Sequence, residues 1–282
     1  MELAHSKAEL DAQLTLARQA GKRVALVPTM GALHKGHLSL VERALSDGYF
    51  VVVSVFVNPK QFPDQADFGD YPRTLGVDAR LLTDAGVDLL FAPGNNDVYP
   101  PGLTLKQPIA GVAGERFEGE FRPGHFDGML LVVNRLFDLV QPSAAYFGEK
   151  DLQQLALVKQ MVRHQIHAGE REPLKIVSCE TIRDEHGLAL SSRNIRIQPE
   201  HMEAARSVNL ALRAGKAAGG SRQMVLDAAK AELDPITRLE YLELVDPESF
   251  EVLDQVLPGA RLIIAAWVGE VRLIDNLMIG EA

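Results

Sequence analysis

In the stretch ALVPTMGALHKGHLSLVERAL, His34 and His37 flank Lys35 and Gly36 where an apolar run gives way to helical periodicity. A helix beginning near Gly36 places His37 in its first turn, beside unsatisfied backbone N–H groups and the positive end of the dipole. Such a turn binds anions. Gly31 and Gly36 leave room for a ligand to approach the backbone. Taken alone, the residues admit three roles: a nucleotide-phosphate site, a surface pair, or two ligands of a metal site lacking a third.

YFGEKDLQQL repeats the arrangement, with a strand ending at Phe147, a turn at Gly148, and Lys150 and Asp151 opening a helix. Lysine there opposes the helix dipole, so an anionic ligand would explain it; a capping Asp151 beside a solvated Lys150 is the plainer alternative. Gln153 and Gln154 are neutral arms suited to a polar substrate. LALSSRN, residues 188 to 194, sets Ser191, Ser192 and Arg193 in a loop after a strand. Those groups suit phosphate oxygens, and they suit an ordinary turn equally well. VNPKQF, YPRTLGVD and FRPGHFDG look like pocket-shaping loops. Asp78 is a candidate for Mg²⁺, weighed against a first-turn helix carboxylate.

Alternating elements must position these loops. Leu10, Leu14 and Ala17 mark a helix stopped by Gly21, RVALVP a strand, and Leu40, Val41, Ala44 and Leu45 one face of the next helix. FVVVSVFV is apolar throughout, as expected when both faces of a parallel sheet are covered. VDARLLTDAG (helix), VDLLFAP (strand), FDGMLLVVNRLFDLV (helix), AAYFG (strand), DLQQLALVKQMVRHQI (helix) and LKIVSC (strand) continue the series. Repeated β–α–β units predict an α/β fold: a Rossmann-like parallel sheet with ligands at the carboxyl ends of its strands. After about residue 180 the texture changes. A turn through Asp184–Gly187, helices near 199–214 and 222–233, and three late strands predict a smaller α+β domain. The expected domains are 1–178, binding nucleotide and substrate, and 179–282, closing over the active site.

The chain has 282 residues, 46% hydrophobic and 24% charged, with net charge −9. That charge argues against a duplex nucleic acid partner. The single cysteine, Cys179, excludes an internal disulfide, and IVSC makes it a small apolar residue ending a strand rather than a nucleophile. The N-terminal MELAHSKAELDAQL lacks the basic and apolar regions of a signal peptide, and the longest apolar runs are strand-length. A cytoplasmic protein without a membrane segment is the expectation.

PTMGALHKGH, VNPKQF, YPRTL, RPGHFDG, FGEKDLQQL and LALSSRN, in this order, resemble the pantoate–β-alanine ligase family, from about residue 20 to the end. The HKGH turn also resembles the HxGH signature of a wider nucleotidyltransferase superfamily. The resemblance implies an ATP-dependent, AMP-forming ligase that joins (R)-pantoate to β-alanine through an enzyme-bound pantoyl adenylate, in vitamin B5 and coenzyme A biosynthesis. It implies ATP contacts at Met30, Gly31, His34, His37, Gly148, Glu149, Lys150, Asp151, Ile182, Leu190, Ser191, Ser192 and Arg193. It assigns pantoate to Gln61 and Gln154, β-alanine to Gln61, and the catalytic charge to His37, His34, Lys150 and Arg193. Mg²⁺ accompanies ATP, and a homodimer is expected. Gly76 stands where the family often has an acidic or polar residue, leaving Asp78 as the acidic candidate there. Residues 63 to 70, PDQADFGD, are a candidate gate.

Three rivals compete with that reading. A tRNA-charging synthetase or its remnant shares the HxGH logic, but the chain is acidic and lacks an obvious anticodon-binding extension. A metal-dependent hydrolase would use His34 and His37 as ligands. Another small nucleotidyltransferase would pass AMP to a phosphate, a role to which the glutamines of VNPKQF and KDLQQL are poorly suited.

Overall fold

Apolar runs too continuous for a sheet with one wet face become the inner strands of a parallel sheet. The computed structural model describes residues 1–62 and 65–280. The chain forms two compact units: Met1–Gly148 with Leu157–Cys179, and Glu149–Ala156 with Glu180–Ala282. Besides passing from the first to the second at Cys179–Glu180, the chain makes an earlier excursion at Glu149–Ala156.

In the larger unit the strands are β1 (Glu2–Ala4), β2 (Val24–Thr29), β3 (Phe50–Val55), β4 (Leu89–Phe91), β5 (Ala144–Gly148) and β6 (Lys175–Cys179). They pair in the order β1-β4-β3-β2-β5-β6, every pairing parallel. β1 is three residues long, too short to carry a readable pattern, and the sequence reading does not include it. The helices are α1 (Lys7–Gln19), α2 (Lys35–Ser46), α3 (Gln65–Asp70), α4 (Leu75–Asp84), α5 (Asn95–Val98), α6 (Glu118–Phe121) and α7 (His125–Val140). α8 (Leu152–His167) follows β5. Pro63 and Asp64, part of the expected gate, lie outside the described residues.

Val27, Val51, Val53, Leu90 and Ala144 of the sheet pack with Leu40, Val41 and Ala44 of α2. Phe126, Leu130, Val133, Phe137 and Val140 of α7 are all buried, as their spacing requires. Tyr146 of β5 donates its O–H to Asp47, which caps the end of α2 (2.7 Å). That bond holds the Asp47 carboxyl below its ordinary value, while burial pushes the Tyr146 phenol up.

Strand order decides where ligands can collect. From β2 the chain runs outward through β3 to β4, then returns to β5 on the other side of β2. The carboxyl ends of β2 and β5 therefore flank the topological switch point, where neighbouring loops diverge and leave a crevice. PTMGALHKGH leaves β2, and Gly148 ends β5.

The smaller unit is α+β. α9 (Met202–Ala218) and α10 (Arg222–Ala231) precede the antiparallel strands β7 (Arg238–Val245), β8 (Arg261–Val268) and β9 (Val271–Met278). Its core joins Val208, Ala211 and Leu212 of α9 and Val225 of α10 to Leu244, Leu262, Ile264 and Leu273. Among the described residues no helix is long and apolar enough to cross a membrane.

Candidate active site

The loop between β2 and α2 is shaped from below by Asp78. Gly31 has φ +85° and Ala32 φ +50°, so the backbone turns through the left-handed region twice. A Cβ on Gly31 would lie 3.0 Å from a Val55 methyl and 3.1 Å from Asp78 Oδ2. Gly31 therefore serves the packing of its own loop, a role that the sequence reading did not include. Asp78, only 1% exposed, accepts the N–H groups of Ala32 (3.1 Å) and Leu33 (2.9 Å) and the Thr74 hydroxyl (3.2 Å). Thr29 Oγ1 accepts the Gly31 N–H and donates to the Ser54 carbonyl.

α2 then opens with a reciprocal histidine cap. The Gly36 N–H donates to His34 Nδ1 (3.1 Å), and the His34 N–H donates to His37 Nδ1 (3.3 Å). The ring centroids stand 4.1 Å apart. A nitrogen that accepts carries no proton, so each neutral ring holds its hydrogen on Nε2. Both Nε2 atoms are thereby N–H donors at the positive end of a helix, which is the polarity a phosphate requires.

Beside it stands a second group in the same unit. Gln61, 7% exposed, lies with Nε2 against Met30 Sδ (2.7 Å). Asn58 donates to Gln61 Oε1 (3.3 Å) and the Gly128 carbonyl (3.0 Å), and accepts the Tyr99 hydroxyl (3.0 Å). Burial raises the Tyr99 phenol, keeping it a protonated donor. His125 Nδ1 donates to the Gln61 carbonyl (2.8 Å), leaving Nε2 to accept from Arg122 (3.1 Å). His125 thus has the opposite tautomer from His34 and His37, and its job is to fix Gln61.

The smaller unit carries the remaining residues. A 3-10 turn over Glu149–Asp151 precedes α8, with Lys150 3.6 Å from the Asp151 carboxylate. Glu149 pairs with Arg261 at 2.8 Å. Gln153 is buried and Gln154 half-exposed, so of the two glutamines only the second presents itself at the surface. Arg183 and Ala189 bridge antiparallel, Leu190 N–H donates to the Ile182 carbonyl, and Asp184 caps the expected turn through the N–H groups of His186 and Leu188. Ser191 Oγ accepts the Arg193 N–H (3.3 Å), opening a 3-10 turn over Ser192–Arg196.

The family model for pantoate-beta-alanine ligase matches residues 2–278. The chain belongs to the pantoate–β-alanine ligase family. A pantothenate synthetase of Nocardioides sp. is 48% identical over 286 residues, covering 98% of this chain and 84% of that protein. One from Thermus thermophilus is 48% identical over 261 residues, covering 91% of this chain and 93% of its own. A crystal structure of the pantothenate synthetase of that species superimposes with TM-score 0.90 at 46% identity, covering 99% of this chain and 100% of that one. A Francisella tularensis pantoate-beta-alanine ligase, solved with beta-gamma ATP and beta-alanine, gives 0.79 at 34% identity, covering 99% and 97%.

Within the family's motifs, Met30, Gly31, His34, His37, Gln61, Asp78 and Gly148 fall in the larger unit. Glu149, Lys150, Asp151, Gln154, Ile182 and Leu190–Arg193 fall in the smaller. Sequence reasoning missed Asn58, Tyr99 and His125, although two of them stand inside the quoted loops VNPKQF and FRPGHFDG. It also missed Asp275 and Asn276, whose signal was two adjacent polar residues interrupting an apolar strand.

Asp78 does not fit a metal arm. Three donors already occupy its carboxylate, and among the described residues no group of three or more His, Cys, Asp and Glu is placed to hold an ion. A protein-held Mg²⁺ wants one or two carboxylates with oxygens open to it.

Proposed function

We infer that these residues carry the family's reaction through an acyl adenylate. The chain is an ATP-dependent ligase that joins pantoate to β-alanine, forming pantothenate. In the first step a pantoate carboxylate oxygen attacks the α-phosphorus of ATP. The bond from that phosphorus to the bridging oxygen breaks, and pyrophosphate leaves with the electron pair. In the second, the neutral amine of β-alanine attacks the acyl carbon. The acyl–oxygen bond to AMP breaks, and the new amide nitrogen loses its proton.

Both partners in the first step are anions, so fixed positive charge and N–H donors must offset their approach. His34 and His37 supply Nε2–H donors and the α2 N-terminus its dipole, while Lys150 and Arg193 supply full charges. Met30, Gly31, Gly148, Glu149, Asp151, Ile182, Leu190, Ser191 and Ser192 complete the ATP contacts. Gln61 and Gln154 hold pantoate by neutral hydrogen bonds, and Gln61 also serves β-alanine. Mg²⁺ enters with ATP as part of the substrate. A cytoplasmic homodimer belongs to the same reading, and sedimentation of the purified chain tests the oligomer.

The observation that carries the reading is the reciprocal histidine cap, which leaves the Nε2 proton on both rings at the N-terminus of α2, in the loop that leaves β2. Pantoate-dependent exchange of pyrophosphate into ATP, without β-alanine, tests it. Wild type exchanges, and His37→Ala loses on the order of 10²–10³-fold, the usual cost of one donor to a developing oxyanion. Exchange that survives in His37→Ala would remove the histidine from the chemistry.

A further inference from the structure

β9 contains an adjacent Asp275 and Asn276, 5% and 4% exposed, in a strand otherwise built of apolar and surface residues. Successive strand side chains point to opposite faces, so the two reach different segments. Asp275 takes both arms of Arg183, at 2.6 Å and 2.8 Å, and the Asn276 N–H at 2.7 Å. Arg183 also donates to the carbonyls of Gly187 (3.0 Å) and Asn276 (3.2 Å). The Asp184–Gly187 turn, and with it the start of the loop Leu190–Arg193, is thus anchored to β9. On the other face Asn276 Nδ2 donates to the carbonyls of Glu149 (2.8 Å) and Lys150 (3.1 Å). Its Oδ1 accepts from Arg261 (3.2 Å), whose other arm pairs with the Glu149 carboxylate (2.8 Å).

We propose that Asp275 and Asn276 are positioning residues for ATP: one node in β9 that fixes the Lys150 turn and the Arg193 loop in register. The proposal rests on the assignment of Lys150 and Arg193 to ATP made above. The logic is geometric. Neither cation lies within a long helix or strand: Lys150 belongs to a three-residue 3-10 turn joining β5 to α8, and Arg193 to a five-residue 3-10 turn in a loop. Two carbonyls pinned by one amide, and one hairpin pinned by a two-armed ion pair, supply the missing rigidity. Polyphosphate recognition needs that rigidity, because its charges are spaced at fixed distances and each contact depends on aim.

A double-mutant cycle on the full chain, read as the dissociation constant of Mg–ATP by calorimetry, tests the node. Asn276→Leu should weaken Mg–ATP roughly tenfold alone but only about threefold in a Lys150→Ala background, because the largest share of the amide's effect passes through that lysine and the rest through Glu149. Asp275→Asn should show the same non-additivity with Arg193→Ala. Thermal melts confirm folding, and Asn276→Ser stands in should the leucine variant not fold. Equal factors in both backgrounds overturn the node and leave the ATP assignment intact. If Lys150→Ala and Arg193→Ala bind Mg–ATP like wild type, the assignment falls and the node falls with it.

Discussion

Asp78→Asn keeps the shape of a side chain that is 1% exposed but replaces one acceptor with an amide NH₂. Ala32 and Leu33 each present an N–H to it, so one buried donor loses its partner. The cost is about 1–3 kcal/mol, borne by the loop that carries His34 and His37. The expected outcome is a raised KM for ATP and a lower melting temperature, with an unchanged Mg²⁺ concentration at half-maximal activity. A variant that instead demands much more Mg²⁺ would return Asp78 to the metal. The residue was legible as a candidate in YPRTLGVD; its role was not, because a first-turn carboxylate looks the same whether it faces water, a metal or a distant loop.

At the scale of elements, α7 and the 3-10 turn over Pro59–Gln61 touch backbone to backbone. A Cβ on Gly128 would lie 2.0 Å from the Lys60 carbonyl oxygen and 2.7 Å from the Gln61 nitrogen. Gly128→Ala must therefore push α7 and the Gln61 turn apart, an overpacking cost of about 1–3 kcal/mol. His125 rides on the first turn of α7 and holds the Gln61 carbonyl, so the displacement reaches the residue assigned to pantoate. The KM for pantoate should rise well beyond that for ATP; steady-state kinetics with each substrate varied check this, and equal changes in both would reject the link. The helix was readable from Phe126, Leu130, Val133, Phe137 and Val140. Nothing in that periodicity showed which glycine met another backbone.

For the molecule as a whole, a single tryptophan reports on one unit. Trp267 lies in β8, hydrogen-bonded to Glu240 and under the Arg238 guanidinium at 5.2 Å. Leu212 is fully buried in the core of the same unit, so Leu212→Ala opens a cavity costing about 2–5 kcal/mol. Urea denaturation followed by Trp267 fluorescence should show a midpoint lowered accordingly. An unmoved midpoint would mean that the Trp267 signal does not report the core built from α9, α10 and the three-stranded sheet.

The sequence alone determined the alternation of strands and helices, the parallel sheet, the change to a smaller α+β unit, and the loops whose residue types suit phosphate. Those features are local: burial periodicity, glycine-bearing turns and charges near helix starts are written within a dozen residues. Tertiary structure decided the partnerships. Asp78 meets a loop 45 residues earlier, His125 fixes a carbonyl 64 residues away, and Asn276 reaches back 127 residues to Glu149. A buried polar group is tolerable only with its partner, and composition does not name a partner that the chain brings from so far. The fold makes that choice when it sets which strand lies beside which loop.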